Sequence, residues 1–97
     1  MYAEAETQYL NVIALIPDDW TYAMRLAQIY AQQNKDKEAI ALLDKTILEN
    51  PNEFPLYVQL GDEYVKINKT KMAKQNYTLA LAKGAVLSNE AGALIGK

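Results

Sequence analysis

Slid against itself by 34 positions, the sequence lays Pro17 on Pro51, Leu26 on Leu60, Tyr30 on Tyr64, Asn34 on Asn68, Lys35 on Lys69, Lys37 on Lys71 and Ala39 on Ala73. A unit this short cannot enclose a core alone, so it buries its apolar face against neighbouring units, which restricts the chain to a stacked array. The same shift carries Glu4, Ala5, Ile13 and Pro17 onto Glu38, Ala39, Ile47 and Pro51. Residues 1–16 therefore read as the second half of an earlier unit, 17–50 and 51–84 as two full units, and 85–97 as a tail or the start of a further unit.

Inside each unit the apolar spacing is helical. Ala23, Leu26, Ala27 and Tyr30 share one stripe, as do Tyr57, Leu60, Gly61 and Tyr64. A second stripe follows: Ala39, Leu43 and Ile47, flanked by Ile40 and Leu42, in one unit, and Ala73, Tyr77, Ala80 and Leu81 in the other. The polar runs QNKDK and NKTK separate the stripes, and Asp36 and Thr70 stand where helix N-caps belong. Asp18 or Asp19 after Pro17, and Asn52 after Pro51, are placed to cap the next helices. Pro55 fits a first turn, and Gly84 is a C-terminal stop. The pattern predicts helices at about 2–16, 19–33, 36–49, 53–67 and 70–83, with a short one near 88–95.

Composition removes whole classes of chemistry. The chain has no cysteine and no histidine, which leaves no disulfide, thiol nucleophile, zinc set of the usual kind or imidazole base. No catalytic residue, metal site or cofactor is expected, and the chain does not read as an enzyme. Asp62 and Glu63 are adjacent on a helix and so point in different directions, which prevents them from acting as an acid–base pair. A formal charge of −2 gives no general attraction for nucleic acid or anionic membrane. No apolar run approaches the roughly 20 residues that span a bilayer, and MYAEAETQ lacks the basic-then-apolar order of a signal peptide. These features predict a soluble chain, leaning to the cytoplasm.

A large residue, then Leu, Gly and Tyr in the first helix, with Ala, an aromatic and Ala in the second, resembles the tetratricopeptide repeat. Residues 51–84 carry it as Tyr57, Leu60, Gly61, Tyr64, Ala73, Tyr77 and Ala80, with Ala85 where a closing proline would stand. Residues 17–50 keep Leu26, Tyr30, Ala39 and Pro51 but place Ala23, Ala27, Leu43 and Thr46 at the other signature positions. The resemblance implies an all-α, right-handed α-α superhelix of antiparallel helix pairs. It also implies a concave groove lined by the first helix of each pair, in which a peptide or helix of a protein partner is bound.

Opposite the core stripes, the groove-facing residues are Thr21, Met24, Arg25, Gln28 and Gln32 in one unit and Pro55, Val58, Gln59, Asp62, Val65 and Lys66 in the other. Met24, Val58 and Val65 offer apolar contacts; the glutamines and Arg25 offer hydrogen bonds. The family's carboxylate clamp for chaperone C-termini needs Lys and Asn, where Met24, Gln28 and Gln59 stand. Lys66, Lys69, Lys71, Lys74 and Lys83 form a run without an acid, yet no interleaved aromatics build a nucleic-acid surface around it. GALIGK has a phosphate loop's outline without its glycine spacing or its Ser/Thr. The alternative to groove binding is a structural spacer or self-assembly module. It would associate through its terminal helices: Tyr2, Tyr9, Leu10, Val12, Ile13 or Ile16 leave apolar area exposed at one end, and Ala91, Leu94 and Ile95 at the other resemble the start of a further first helix.

Overall fold

The computed structural model describes residues 1–96. Among these the chain forms six α-helices and no strand: α1 (Tyr2–Leu15), α2 (Trp20–Gln32), α3 (Asp36–Glu49), α4 (Phe54–Lys66), α5 (Thr70–Ala82) and α6 (Asn89–Ile95). They divide between two compact units, Met1–Glu49 and one that begins at Asn50. In the first, α2 packs on both α1 and α3; in the second, α5 packs on both α4 and α6.

Local chemistry accounts for where the helices start and stop. Asp19 caps α2, its carboxylate accepting from the Thr21 N–H at 3.0 Å and from the Thr21 hydroxyl. Pro55 sits in the first turn of α4, where a missing N–H breaks no helical bond. Three capping expectations are corrected. Asn52 does not cap α4: Glu53 holds that position without a side-chain bond, and the Asn52 side-chain oxygen accepts from Lys83 Nζ at 3.4 Å instead. Asp36 and Thr70 are already inside their helices, and Lys69 is the N-cap of α5.

The C-terminal ends of α2, α4 and α5 share one device that the polar turn sequences conceal. Asn34, Asn68 and Gly84 all have positive φ, at 61°, 63° and 106°. In each case the next residue's N–H reaches back five positions: Lys35 to Tyr30 O at 2.8 Å, Lys69 to Tyr64 O at 2.8 Å and Ala85 to Ala80 O at 3.0 Å. This is a Schellman closure, which satisfies carbonyls that the helix end would orphan. Asparagine tolerates the left-handed region better than residues whose side chains cannot bond locally. Asn68→Ala is therefore expected to lower stability by about 1 kcal/mol and Asn68→Gly to leave it level or slightly higher, as read from urea unfolding.

The first unit's core is Ala23, Leu26 and Ala27 of α2 against Ala39, Leu43 and Thr46 of α3. Thr46 stands where its counterpart is Ala80, and its buried hydroxyl is satisfied within the helix by donating to Leu42 O at 2.7 Å. Helix α1 lies on α2 through the Tyr9 and Tyr22 rings, 6.5 Å apart, and Glu6 of α1 pairs with Lys35 in the turn between α2 and α3 at 3.5 Å. It buries none of its residues. The second unit's core is Leu56, Tyr57, Leu60 and Gly61 of α4 with Ala73, Tyr77 and Ala80 of α5. The Tyr57 hydroxyl donates to Pro51 O at 2.8 Å, and Lys83 Nζ lies 5.5 Å from the Tyr57 ring centroid, which ties the start of α4 to the end of α5. Leu81, expected in the α5 stripe, is instead 45% exposed, because burial on α5 follows 73, 77 and 80 and position 81 falls beyond the edge of that face.

Candidate functional site

The second unit contains an open cleft of about 430 Å³. Asp62, Val65 and Lys66 form its α4 side, Thr70 and Tyr77 belong to α5, and Ser88, Glu90, Ala91 and Leu94 close the α6 side. The cleft exists because the backbone of α6 comes close to α5 and not to α4, so the space between the two flanking helices stays open above Tyr77. Ser88 fixes the start of α6 by accepting from the Ala91 N–H at 3.2 Å. Ala91 then packs with Ala73 and Tyr77, and Leu94 lies against the same cluster.

Tyr77 organises this region. Its ring is 3% exposed, and its hydroxyl, fifteen residues from its partner in sequence, donates to the Asp62 carboxylate. Burial raises the pKa of the phenol above that of an ordinary tyrosine, and the hydrogen bond and negative charge of Asp62 raise it further. The folded chain therefore keeps this proton at a pH where the unfolded chain has lost it. The contribution to stability is intact below about pH 10 and then falls by about 1.4 kcal/mol per pH unit until the folded phenol also titrates. Tyr77→Phe is expected to flatten that slope in unfolding curves taken from pH 9 upwards. Tyr30 is also raised, by burial first and then by Glu6, but it is common to both proteins, so their difference isolates Tyr77.

The eleven groove residues read from the sequence are distributed unequally. Asp62, Val65 and Lys66 come together in the cleft. Val58 is half-buried and packs on the Ala73, Tyr77 and Ala91 cluster, so it serves the core as much as any surface. Pro55 and Gln59 are half-buried on α4. In the first unit, Arg25, Gln28 and Gln32 are exposed on α2, Met24 is half-buried, and the Thr21 hydroxyl is engaged by Asp19.

Tyr77, Thr70, Ser88 and Glu90 were not among the residues expected from sequence. Tyr77 read as core because its stripe is buried, while its hydroxyl reaches the cleft. The one signal for the α6 wall is that Leu94 stands 34 residues after Leu60, which marks it as a first-helix position. The lysine run separates in space. Lys66 lines the cleft, Lys71 and Lys74 border a shallow depression of about 630 Å³ on α5, and Lys83 is held at Asn52 and Tyr57. Among the described residues no group of carboxylates is placed to hold a metal ion, and no helix is long and apolar enough to cross a membrane.

Known proteins give the same picture of the fold. No curated protein sequence matches the chain. A similar solved structure is that of YrrB, described as a TPR protein with an unusual peptide-binding site. The match has a TM-score of 0.78 and 22% identity and covers 91% of this chain and 45% of that one. The chain thus spans less than half the length of that protein, and at this identity the likeness speaks for the fold alone. Two models of the tetratricopeptide repeat match the sequence itself, one over residues 1–61 and one over residues 54–82. With the 34-residue period, the paired helices and the signature residues in the core, these matches establish that the chain belongs to the tetratricopeptide repeat family.

Proposed function

We propose that the chain is a protein-interaction scaffold whose second unit binds an extended peptide, or a helix, of a partner protein in the cleft between α4 and α6. The observation that carries this reading is the cleft itself, where apolar Val65 and Leu94 share one opening with Asp62, Lys66 and Glu90. Such a mixture suits a peptide, whose side chains need apolar contact and whose polar groups need partners. Arg25, Gln28 and Gln32 on α2 are proposed as further contact residues of the first unit. The solved structure's described peptide-binding site supports the class of ligand.

The test compares surface substitutions, because Val58→Glu would disturb the core beneath it. Val65 is 47% exposed at the cleft and Leu79 is 46% exposed on α5 outside it. Val65→Lys is expected to weaken capture of a partner about tenfold or more, whereas Leu79→Lys leaves it unchanged. Equal loss from both, or from neither, would remove the cleft from the binding surface.

A second reading, self-association through a terminal helix, is favoured by α1. Leu10 in it and Ile16 at its C-cap are each 47% exposed, and Leu15 is 81% exposed. Sedimentation velocity at rising concentration separates the two readings. A purely monomeric chain would eliminate self-association.

A further inference from the structure

We infer that the cleft of the second unit receives a basic side chain, Lys or Arg, from the partner's bound segment; this rests on the peptide-binding reading above and names the chemistry of what is bound. Three features of one opening converge on it. Asp62 and Glu90 contribute two carboxylates against the single ammonium of Lys66, which leaves an excess of negative charge in a concave site where protein walls focus the field. Val65 and Leu94 supply apolar surface beside those charges. That pairing matches a long basic side chain, whose methylene stem covers apolar surface while its head group stays polar. The third feature is Tyr77, which lines the same cleft and donates its hydroxyl to Asp62. This bond holds the carboxylate against the floor, and a carboxylate has lone pairs for more than one donor, so a guanidinium or ammonium can bond to it as well.

The competing side chains fit less well. An acidic residue would meet Asp62 and Glu90 as like charges. A purely apolar residue would cover the carboxylates without replacing the water they lose, which costs free energy with no hydrogen bond in return. The cleft volume of about 430 Å³ accommodates a long side chain together with neighbouring backbone of an extended segment.

A displayed library of randomised linear peptides, selected on the whole chain, tests this directly. Selected peptides are expected to share one Lys or Arg beside an apolar residue. A synthetic copy with norleucine at that position should bind about tenfold more weakly, because a charge-assisted pair is lost. Glu90→Gln, an exposed change, should weaken the parent peptide about three- to fivefold, and the difference should shrink at about 0.5 M salt. Circular-dichroism melts establish that each variant is folded. Asp62→Asn is avoided as the sole probe, because it also alters the Tyr77 bond. Peptides that bind, lose binding on Val65→Lys and show no basic preference would overturn the inference and leave the peptide-binding reading standing. No selected peptide, or peptides indifferent to both substitutions, would overturn both.

Discussion

Tyr77→Ala is expected to lower the unfolding free energy by about 3–5 kcal/mol, and the thermal midpoint by about 12 °C or more. Two losses combine in that figure. The ring is 3% exposed and packs with Ala73 and Ala91, so its removal leaves a cavity that helices on both sides must collapse to fill. Its hydroxyl also bonds to an ionised partner, a class of bond that contributes more than a neutral one. Tyr77→Phe removes the second term alone, and its cost should be about 1.5–3 kcal/mol. A Tyr77→Ala loss below about 1 kcal/mol would mean that the ring does not hold α4, α5 and α6 together. The cleft should respond as well, since Ala91 and Leu94 of α6 pack in the cluster that the Tyr77 ring fills. Hydrogen exchange of the Ala91 and Leu94 amides is expected to approach the unprotected rate in Tyr77→Ala before α2 and α3 are affected.

Gly61→Ala presents the opposite arithmetic and a change of sign. Alanine is favoured over glycine in a helix by about 1 kcal/mol, so propensity alone predicts stabilisation. A Cβ at position 61, however, would stand 2.6 Å from Cε1 and 2.7 Å from Cδ1 of the Tyr77 ring. The ring is hemmed in by its neighbours and tied at its hydroxyl, so it yields only at the cost of strain of about 1–3 kcal/mol. The expected net result is destabilisation by about 1–2 kcal/mol, and more for Gly61→Val. In a Tyr77→Ala background the obstruction is gone and Gly61→Ala should stabilise instead. A double-mutant cycle by urea unfolding reads this coupling, and effects that simply add would refute the contact. The first unit already shows the alternative solution. There Ala27 and Leu43 occupy the equivalent positions, both 1% exposed, and the shorter leucine leaves room for the methyl that the tyrosine ring denies.

Much of the fold was legible because it depends on residues close together in the chain. Leu26, Ala27, Ala39 and Leu43 were identified as core from helical spacing and are buried, and the predicted helix limits lie within one residue of those observed. The misplaced caps had a local cause too. Asp36, Thr70 and Asn52 are all residue types that favour caps, and residue type alone does not distinguish the cap from its neighbours: Asp36 and Thr70 are the first residues of their helices, and Asn52 precedes the cap Glu53. Leu81 falls outside the α5 stripe in which it is expected, and Thr46, placed at a signature position but not in the α3 stripe, is buried, for a related reason. A stripe drawn on a wheel has blurred edges, and polar Thr46 satisfies its hydroxyl inside its own helix, which lets it be buried where its side chain suggests exposure.

The candidate site was less legible. Three of its residues, Asp62, Val65 and Lys66, were found by elimination from the face opposite the core stripe. The others belong to helices that follow α4 in the chain, and their approach to α4 is set by how Tyr77 fills the space between them. By itself the amino-acid order determined the period, the helix stripes, the approximate stops and the family, because each is written in spacings of a few residues repeated every 34. Only the tertiary structure decided that Asp62 answers a tyrosine fifteen positions away, that Gly61 is held by that ring and that Glu90 comes to share a cleft with Val65. Those facts depend on distances between packed helices, which side-chain volumes set inside the second unit and which no local pattern encodes.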